Sequence, residues 1–442
     1  MKALIIAAGM GRRIRNLGDS KPLVELLGLP LIERVIMNAR RAGITEFVIV
    51  VGYNGEKVKE KLNEIAKRRG VKLTIINNPD WQKENGLSVL KAREALEGEK
   101  FLLLMSDHIH DPEIIQSLVN ASINDGEVIL AVDGKVDRNH LVDHDDVTRV
   151  LVKDGHIQDI GKNIKRFNAF DTGAFLCTPA IFDAIEESIK VNKDSTLSGG
   201  IRILAKRNRA LALDIGDAFW IDVDDEVAYK KAENYLLGKL NKNSDGPVAK
   251  YLNRPISRLI TRYLVKLPVT PNQVTIFSFL VAVFAGILFL FKDMLALAGI
   301  LTQFSSVLDG VDGEIARIKY METKFGKWLD SVLDRYADGI IIGTLTWNAY
   351  HFRYPSYLTL VAGWFSILGS LINSYIAMKY DELMGKLRRK KYFRIGRDLR
   401  LFFIFVGSLA GLPFETLILL GLLMNFENLR RILILRKYEN YL

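Results

Sequence analysis

The pattern of apolar and polar positions changes character near residue 240. Before that point, apolar runs of strand length alternate with segments of helical periodicity. Lys2–Ala7, Glu46–Val51, Lys72–Asn77, Phe101–Met105 and Val128–Val132 read as strands, and Leu31–Ala42, Gly55–Arg69, Ser88–Leu96 and Pro112–Asn124 as helices. Such alternation predicts a mostly parallel sheet covered on both faces, with ligands at the carboxyl ends of its strands. Residues 241–247, Asn-Lys-Asn-Ser-Asp-Gly-Pro, read as a polar linker. From 248 to 442 the pattern is helical and largely apolar. Val248–Lys266 places Lys250, Arg254, Arg258 and Arg262 at four-residue steps among apolar residues, which predicts an amphipathic helix on an anionic membrane surface. Six spans follow at about 270–291, 295–318, 326–350, 355–378, 398–412 and 415–435.

Charge sharpens this division. The net charge of +10 is unevenly spread: residues 1–240 hold 35 Lys and Arg against 36 Asp and Glu, and residues 241–442 hold 26 against 15. The basic excess therefore belongs to the apolar part, where it reads as membrane orientation rather than nucleic-acid binding. Lys319, Lys324 and Lys327 follow the second span, nine Lys and Arg lie between Lys379 and Arg400, and Arg430, Arg431, Arg436 and Lys437 lie near the C-terminus. This distribution places both termini, and the aspartates described next, on the cytoplasmic side of a multi-pass cell-membrane protein. The one cysteine, Cys177, excludes an internal disulfide, and no signal-peptide pattern precedes the first strand.

The densest chemistry lies where the second and third spans meet. Asp309 and Asp312 are three residues apart and Asp330 and Asp334 four apart, so each pair shares a helix face. Ionised carboxylates at membrane depth mark function, and four at oxygen-ligand spacing suit one or two divalent cations, Mg²⁺ first and Mn²⁺ as an alternative. The run from Asp309 to Arg317 and from Gly326 to Asp334 reads D-x-x-D-G-x-x-A-R then G-x-x-x-D-x-x-x-D, and resembles the CDP-alcohol phosphotransferase family at every fixed position. The resemblance implies that Asp309, Asp312 and Asp330 bind metal, and that Asp334 serves as the base for the acceptor hydroxyl beside the metal. It implies that Gly313 and Gly326 admit the donor nucleotide, that Arg317 contacts its diphosphate, and that Asn272 and Thr275 are further nucleotide contacts. Arg394, Arg397 and Arg400 are candidates for an acceptor phosphate, with headgroup binding and topology as the ordinary explanation of the basic cluster around them.

In the first part, Ala8-Gly9-Met10-Gly11-Arg12-Arg13 follows the first strand, with Lys21-Pro22-Leu23 beyond it. Glycines let backbone amides approach phosphates, while Arg13 and Lys21 neutralise a leaving pyrophosphate. These residues resemble the signature of sugar-nucleotide pyrophosphorylases, apart from Ser20, where many members have proline. The resemblance implies a Rossmann-like α/β nucleotidyltransferase domain over 1–240, joined through 241–247 to an all-α six-span membrane domain. It also implies that Asp107 and Asp222 hold Mg²⁺ on the α-phosphate, with Asp224 as rival to Asp222, and that Gly86 and Ser88 belong to the base-reading segment. Asp171, Gly173 and Lys162, with Lys165 and Arg166 as alternatives, fall in the region that receives the phosphorylated alcohol. His108, His110 and His144 have no ligand spacing and read as surface or loop residues.

Both signatures on one chain resemble the bifunctional inositol-1-phosphate cytidylyltransferase and di-myo-inositol phosphate phosphate synthase family of hyperthermophilic prokaryotes. That implies CTP and inositol 1-phosphate as substrates, CDP-inositol as intermediate, a compatible-solute precursor as product, a lipid bilayer as surrounding, no nucleic acid, and a homodimer through the membrane domain. The competing readings are a phospholipid-making phosphotransferase with a regulatory nucleotidyltransferase-like domain, and a transporter.

Overall fold

A computed structural model describes residues 1–136, 143, 146–240, 246–386 and 395–436. The chain forms two compact units, Met1–Leu236 and Leu237–Leu442. Most of the expected linker, like Arg394, the basic run 388–391 and His144, lies outside the described residues.

Unit one is built on a nine-stranded sheet. In chain order its strands are β1 (Lys2–Ala7), β2 (Glu46–Val51), β3 (Lys72–Asn77), β4 (Phe101–Met105), β5 (Val128–Asp133), β6 (Arg149–Lys153), β7 (His156–Gly161), β8 (Ala169–Cys177) and β9 (Ala210–Asp214). Their spatial order is β3-β2-β1-β4-β8-β5-β9-β7-β6. Strands β1 to β4 pair in parallel, and so do β5 and β9, but β8 runs antiparallel to both β4 and β5, and β7 to both β6 and β9. The sheet is thus mixed, which corrects the expectation of a mostly parallel one. The first four strands alternate with helices, whereas β6, β7 and β8 follow one another without an intervening helix, and parallel pairing needs a crossover.

Helices cover both faces, and alternate residues of each strand enter different cores. On β1, Leu4 and Ile6 pack with Val50, Leu103 and Phe175, while Ala3, Ile5 and Ala7 pack with Phe47, Leu104 and Leu176. Burial on both faces is why these strands read as unbroken apolar runs. Two expected helices shift at one end. Ser88–Leu96 is a helix beginning at Asn85, with a second short helix at Arg93–Leu96, and the helix from Pro112 stops at Asn120.

Unit two contains an amphipathic helix, α1 (Arg254–Leu264), then six longer helices: α2 (Pro271–Phe289), α3 (Leu295–Ile318), α4 (Lys324–Phe352), α5 (Tyr357–Lys386), α6 (Arg397–Leu409) and α7 (Pro413–Arg436). Among the described residues, three segments are long and apolar enough to cross a membrane: Pro271–Phe289, Lys292–Ile318 and Tyr357–Ala377. Local chemistry sets the helix starts. Thr270 and Gln273 form a reciprocal capping box at α2, with Pro271 in its first turn. The Thr323 hydroxyl accepts the Gly326 N–H at 2.9 Å to start α4. The α1 helix corrects one detail. Arg258 is partly exposed, but Arg254 is buried, so the four basic residues do not form one outward row.

Candidate active sites

In unit one the loops after β1 and β4 meet at the carboxyl ends of the sheet around a cavity of about 620 Å³. A short antiparallel ribbon, His108–His110 paired with Trp220–Asp222, brings Asp107 and Asp222 together across more than a hundred residues. The Lys21 ammonium forms ion pairs with Asp107 and, at 3.2 Å, with Asp222. Burial works against this cation, but the two carboxylates hold it protonated beyond the usual lysine range. Asp107 is half-buried, and although desolvation works against its charge, Lys21 and His108 keep it ionised well below the usual carboxylate range. Gly11 has φ +67°, and a Cβ there would run into the Lys21 side chain. The second glycine of the loop is therefore needed for its backbone conformation and for the lysine's path.

Arg13 pairs with Asp146 and Asp224 at the cavity wall. Burial and the neighbouring Asp222 charge push Asp224 up to about 6. Lys162 reaches Asp146 at 2.5 Å, and its hydrogen bond is the main cause holding Asp146 down at about 2. Ligand atoms of Asp107, His108 and Asp222 lie within 4.8 Å of one another. Two converging carboxylates suit a hard divalent cation, and Asp222 rather than Asp224 belongs to this group. Asp171 and Gly173 line the cavity at a bulge in β8, where the pairing with β5 shifts register between Asp171 and Phe175. Gly173 has φ +74°, and a Cβ on it would strike the His108 ring.

The structure separates other candidates from this cavity. Ser88 is buried, hydrogen-bonded with Asn78, and a Cβ on Gly86 would collide with the Ser195 carbonyl. In that region the lining residues are Asn85, Leu197 and Ser198. Ala8 is buried and accepts the Tyr53 N–H, Gly9 lines the cavity, and Lys165 and Arg166 are exposed elsewhere. The expectation that His108 and His110 are surface residues is overturned. His108 bonds Asp107 at 2.9 Å and stacks on Trp220, and His110 is buried against the Thr172 carbonyl at 2.7 Å. Burial opposes the charged form of both rings. For His108, Asp222 and Asp107 overcome it and raise the group to about 9, whereas His110 falls to about 4. Two residues apart in one strand, both rings share a face, His108 half-buried at the cavity and His110 buried behind it, and the pairing of that strand with Trp220–Asp222 is a long-range property.

In unit two, α3 carries Asp309 and Asp312, and α4 carries Asp330, Asp334 and Asp338. Carboxylate oxygens of Asp309, Asp330 and Asp334 lie within 4.8 Å of one another. The all-oxygen donor set fits a hard divalent cation with phosphate oxygens completing its shell. Asp312 is outside that trio but lines one cavity with Asp309 and Asp330, and it accepts the Thr275 hydroxyl and the Gly313 N–H. A cavity of about 160 Å³ beside it is lined by Asn272, Thr275, Asp309, Asp312, Gly313, Arg317, Gly326 and Asp330. Arg317 also donates to the Leu240 carbonyl at 3.3 Å.

Arg397, at the start of α6, forms ion pairs with Asp334 at 2.7 Å, Asp309 at 3.1 Å and Asp338 at 3.0 Å. Arg400 is only 1% exposed and donates to Asp338 at 2.7 Å and to the Ser370 carbonyl at 2.9 Å. Of the two described arginine candidates for an acceptor phosphate, Arg397 thus touches the carboxylate cluster, while Arg400 is buried behind it. Asp338 had a readable signal, since it repeats the four-residue step from Asp330 to Asp334 by one further turn. Asp146, by contrast, carries no motif.

A cavity at the strand ends of an α/β unit where Arg13, Lys21 and Lys162 meet aspartates, and a carboxylate cluster on paired apolar helices, define a nucleotidyltransferase joined to a CDP-alcohol phosphotransferase. Residues 3–160 match the MobA-like NTP transferase domain, and residues 268–424 match the CDP-alcohol phosphatidyltransferase family. The chain is 36% identical to a Rubrobacter xylanophilus protein named bifunctional IPC transferase and DIPP synthase, over 98% of this chain and 96% of that protein. It is 34% identical to an Aquifex aeolicus protein of the same name, over 96% of each. The chain belongs to the bifunctional IPC transferase and DIPP synthase family and is a transferase. A solved structure of the inositol-1-phosphate CTP transferase from T. maritima is also similar, at 26% identity and a TM-score of 0.48, covering 53% of this chain and 93% of that one.

Proposed function

We propose that the chain catalyses two consecutive reactions. In the first, a phosphate oxygen of inositol 1-phosphate attacks the α-phosphorus of CTP, giving CDP-inositol and pyrophosphate. In the second, the hydroxyl of another inositol 1-phosphate attacks the β-phosphorus of CDP-inositol, forming a phosphodiester and releasing CMP. The observation that carries this reading is the presence of both clusters on one chain whose full-length relatives bear the bifunctional name.

The first reaction needs charge neutralisation and positioning more than a base, because the attacking phosphate is already an anion. Arg13 and Lys21 neutralise the triphosphate and the departing pyrophosphate. The backbone at Gly9 and Gly11 lies close to the phosphates, and Asp171, Gly173 and Lys162 form the side that receives the phosphorylated alcohol. In the second reaction Asp334 takes the proton of the attacking hydroxyl. Arg317 and Asn272 face the donor diphosphate, and Arg397 supplies positive charge beside the acceptor phosphate. Mg²⁺, held by Asp107 and Asp222 in one unit and by Asp309, Asp330 and Asp334 with Asp312 in the other, would neutralise phosphate charge.

In this reading α2 to α7 are six spans, both termini and both sites face the cytoplasm, and two copies associate through the membrane domain. The positions of the basic segments support that orientation. The test incubates purified full-length protein with Mg²⁺, labelled CTP and inositol 1-phosphate. Wild type is expected to release pyrophosphate and CMP, and Asp334→Asn to accumulate CDP-inositol. Diester formation by that variant would refute the base assignment.

A further inference from the structure

Neither reaction above employs Glu314, yet it is the most completely buried carboxylate near the helical cluster. It lies on α3, two residues beyond Asp312 and five beyond Asp309. Its carboxylate accepts Arg254 Nη1 at 2.8 Å, the Ser257 hydroxyl at 2.7 Å and the Thr261 hydroxyl at 2.6 Å. Residues 254, 257 and 261 follow steps of three and four, so all three donors come from one face of α1. The opposite face exposes Ile256, Leu259 and Tyr263. Arg254 Nη1 also reaches the Gly310 carbonyl at 3.4 Å, and a Cβ at Gly310 would lie 3.0 Å from that nitrogen. One arginine therefore grips α3 on both sides of Asp312, through Gly310 and Glu314.

A buried carboxylate holding a guanidinium and two hydroxyls has no comparably satisfied arrangement after a small rotation of either helix. We infer that Glu314 is a positioning residue: its contact with α1 fixes the rotation of α3 and thereby where Asp309 and Asp312 present their oxygens to a divalent cation. This rests on the reading of the helical cluster as a cation site. Partners one shell removed from metal ligands commonly control affinity through orientation alone. Because the outer face of α1 is apolar, the seating of this helix at a bilayer surface becomes part of what holds the cluster in shape.

The test measures Mn²⁺ binding, by electron paramagnetic resonance of the free ion, to the full-length chain in lipid nanodiscs. Asp107→Asn and Asp222→Asn are included throughout to silence the nucleotidyltransferase site. Arg254→Met is expected to weaken binding at least about tenfold, Thr261→Val to weaken it less, and Arg254→Lys to recover most of the loss. Thr261→Val deletes a single hydroxyl and keeps the test informative if Arg254→Met fails to fold. Unchanged Mn²⁺ affinity in Thr261→Val and in folded Arg254→Met would overturn the positioning role while leaving the cation site standing. Binding by the reference protein that survives Asp330→Asn would instead overturn the cation reading, and this inference with it.

Discussion

The two sites solve the same electrostatic problem with different architecture. In the nucleotidyltransferase unit, Lys21 comes from a short 3-10 turn, Asp107 from the turn after β4 and Asp222 from the end of the ribbon strand, and Arg13 stands at the wall with its side chain half exposed. In the helical unit the carboxylates stand on successive turns of α3 and α4, facing an arginine that enters on α6 with a second buried behind it. The first arrangement leaves a cavity of about 620 Å³, and on the proposed reading the bound substrate's charges replace its internal pairs. The second sets its shape by helix packing and buried ion pairs, so it tolerates less adjustment. Disturbing the first site is accordingly expected to change rate with little effect on fold. Disturbing the residues behind the second should change both.

The largest expected effect separates the two sites cleanly. Asp334→Asn removes the proposed base and is expected to lower CMP release about 10²–10⁴-fold, with pyrophosphate release unaltered. The reciprocal change is somewhat smaller. Lys21→Ala should reduce pyrophosphate release about 10²–10³-fold, the usual consequence of deleting one preorganised positive group. CMP release from supplied CDP-inositol should persist in that variant. Loss of both products in either variant would mean that the sites are coupled, and the comparison of two independent centres would fail.

What could be read without the fold follows the same division. The spacing of Asp309, Asp312, Asp330 and Asp334 converts directly into geometry, because a helix makes residues three and four apart neighbours. Asp338 obeys the same rule but falls one turn outside the family motif, which therefore does not include it. The pairing of Lys21 with Asp107 and Asp222 has no such local rule, and only resemblance to a known signature linked them. Asp146 and His108 could not be found from sequence, since they reach the cavity through the loop before β6 and a three-residue ribbon. The antiparallel placement of β8 between β4 and β5 was similarly hidden, because periodicity reports burial and not strand direction.

The contrast in rigidity gives the next prediction. Asp338 is 1% exposed and holds both Arg400 and Arg397. Asp338→Ala leaves the Arg400 guanidinium buried without its carboxylate, which is expected to destabilise the helical unit by about 3–5 kcal/mol. A lowered midpoint in detergent unfolding, together with slower CMP release, would support the reading. Intact stability with slow CMP release would make Asp338 part of the reacting site instead.

The smallest effect runs in the opposite direction, and it concerns the looser site. Asp171 accepts the Gly173 N–H at 2.7 Å, and burial pushes its carboxyl up from the ordinary 3.8 to about 6. The folded state thus binds this proton more tightly than the unfolded chain does. Its contribution to stability is complete below the ordinary value and is lost as pH rises through about 6. At pH 8 the ionised group is a net burden on the fold. Asp171→Asn removes the titration and is expected to stabilise unit one by on the order of 1–2 kcal/mol, because the neutral amide retains some desolvation cost of its own. The gain should vanish when unfolding is measured near pH 4. If Asp171 receives the phosphorylated alcohol, the same variant should bind inositol 1-phosphate more weakly while melting at a higher temperature, since groups kept for function are often held against stability. A variant that is more stable and equally active would show that this carboxylate does not touch the substrate.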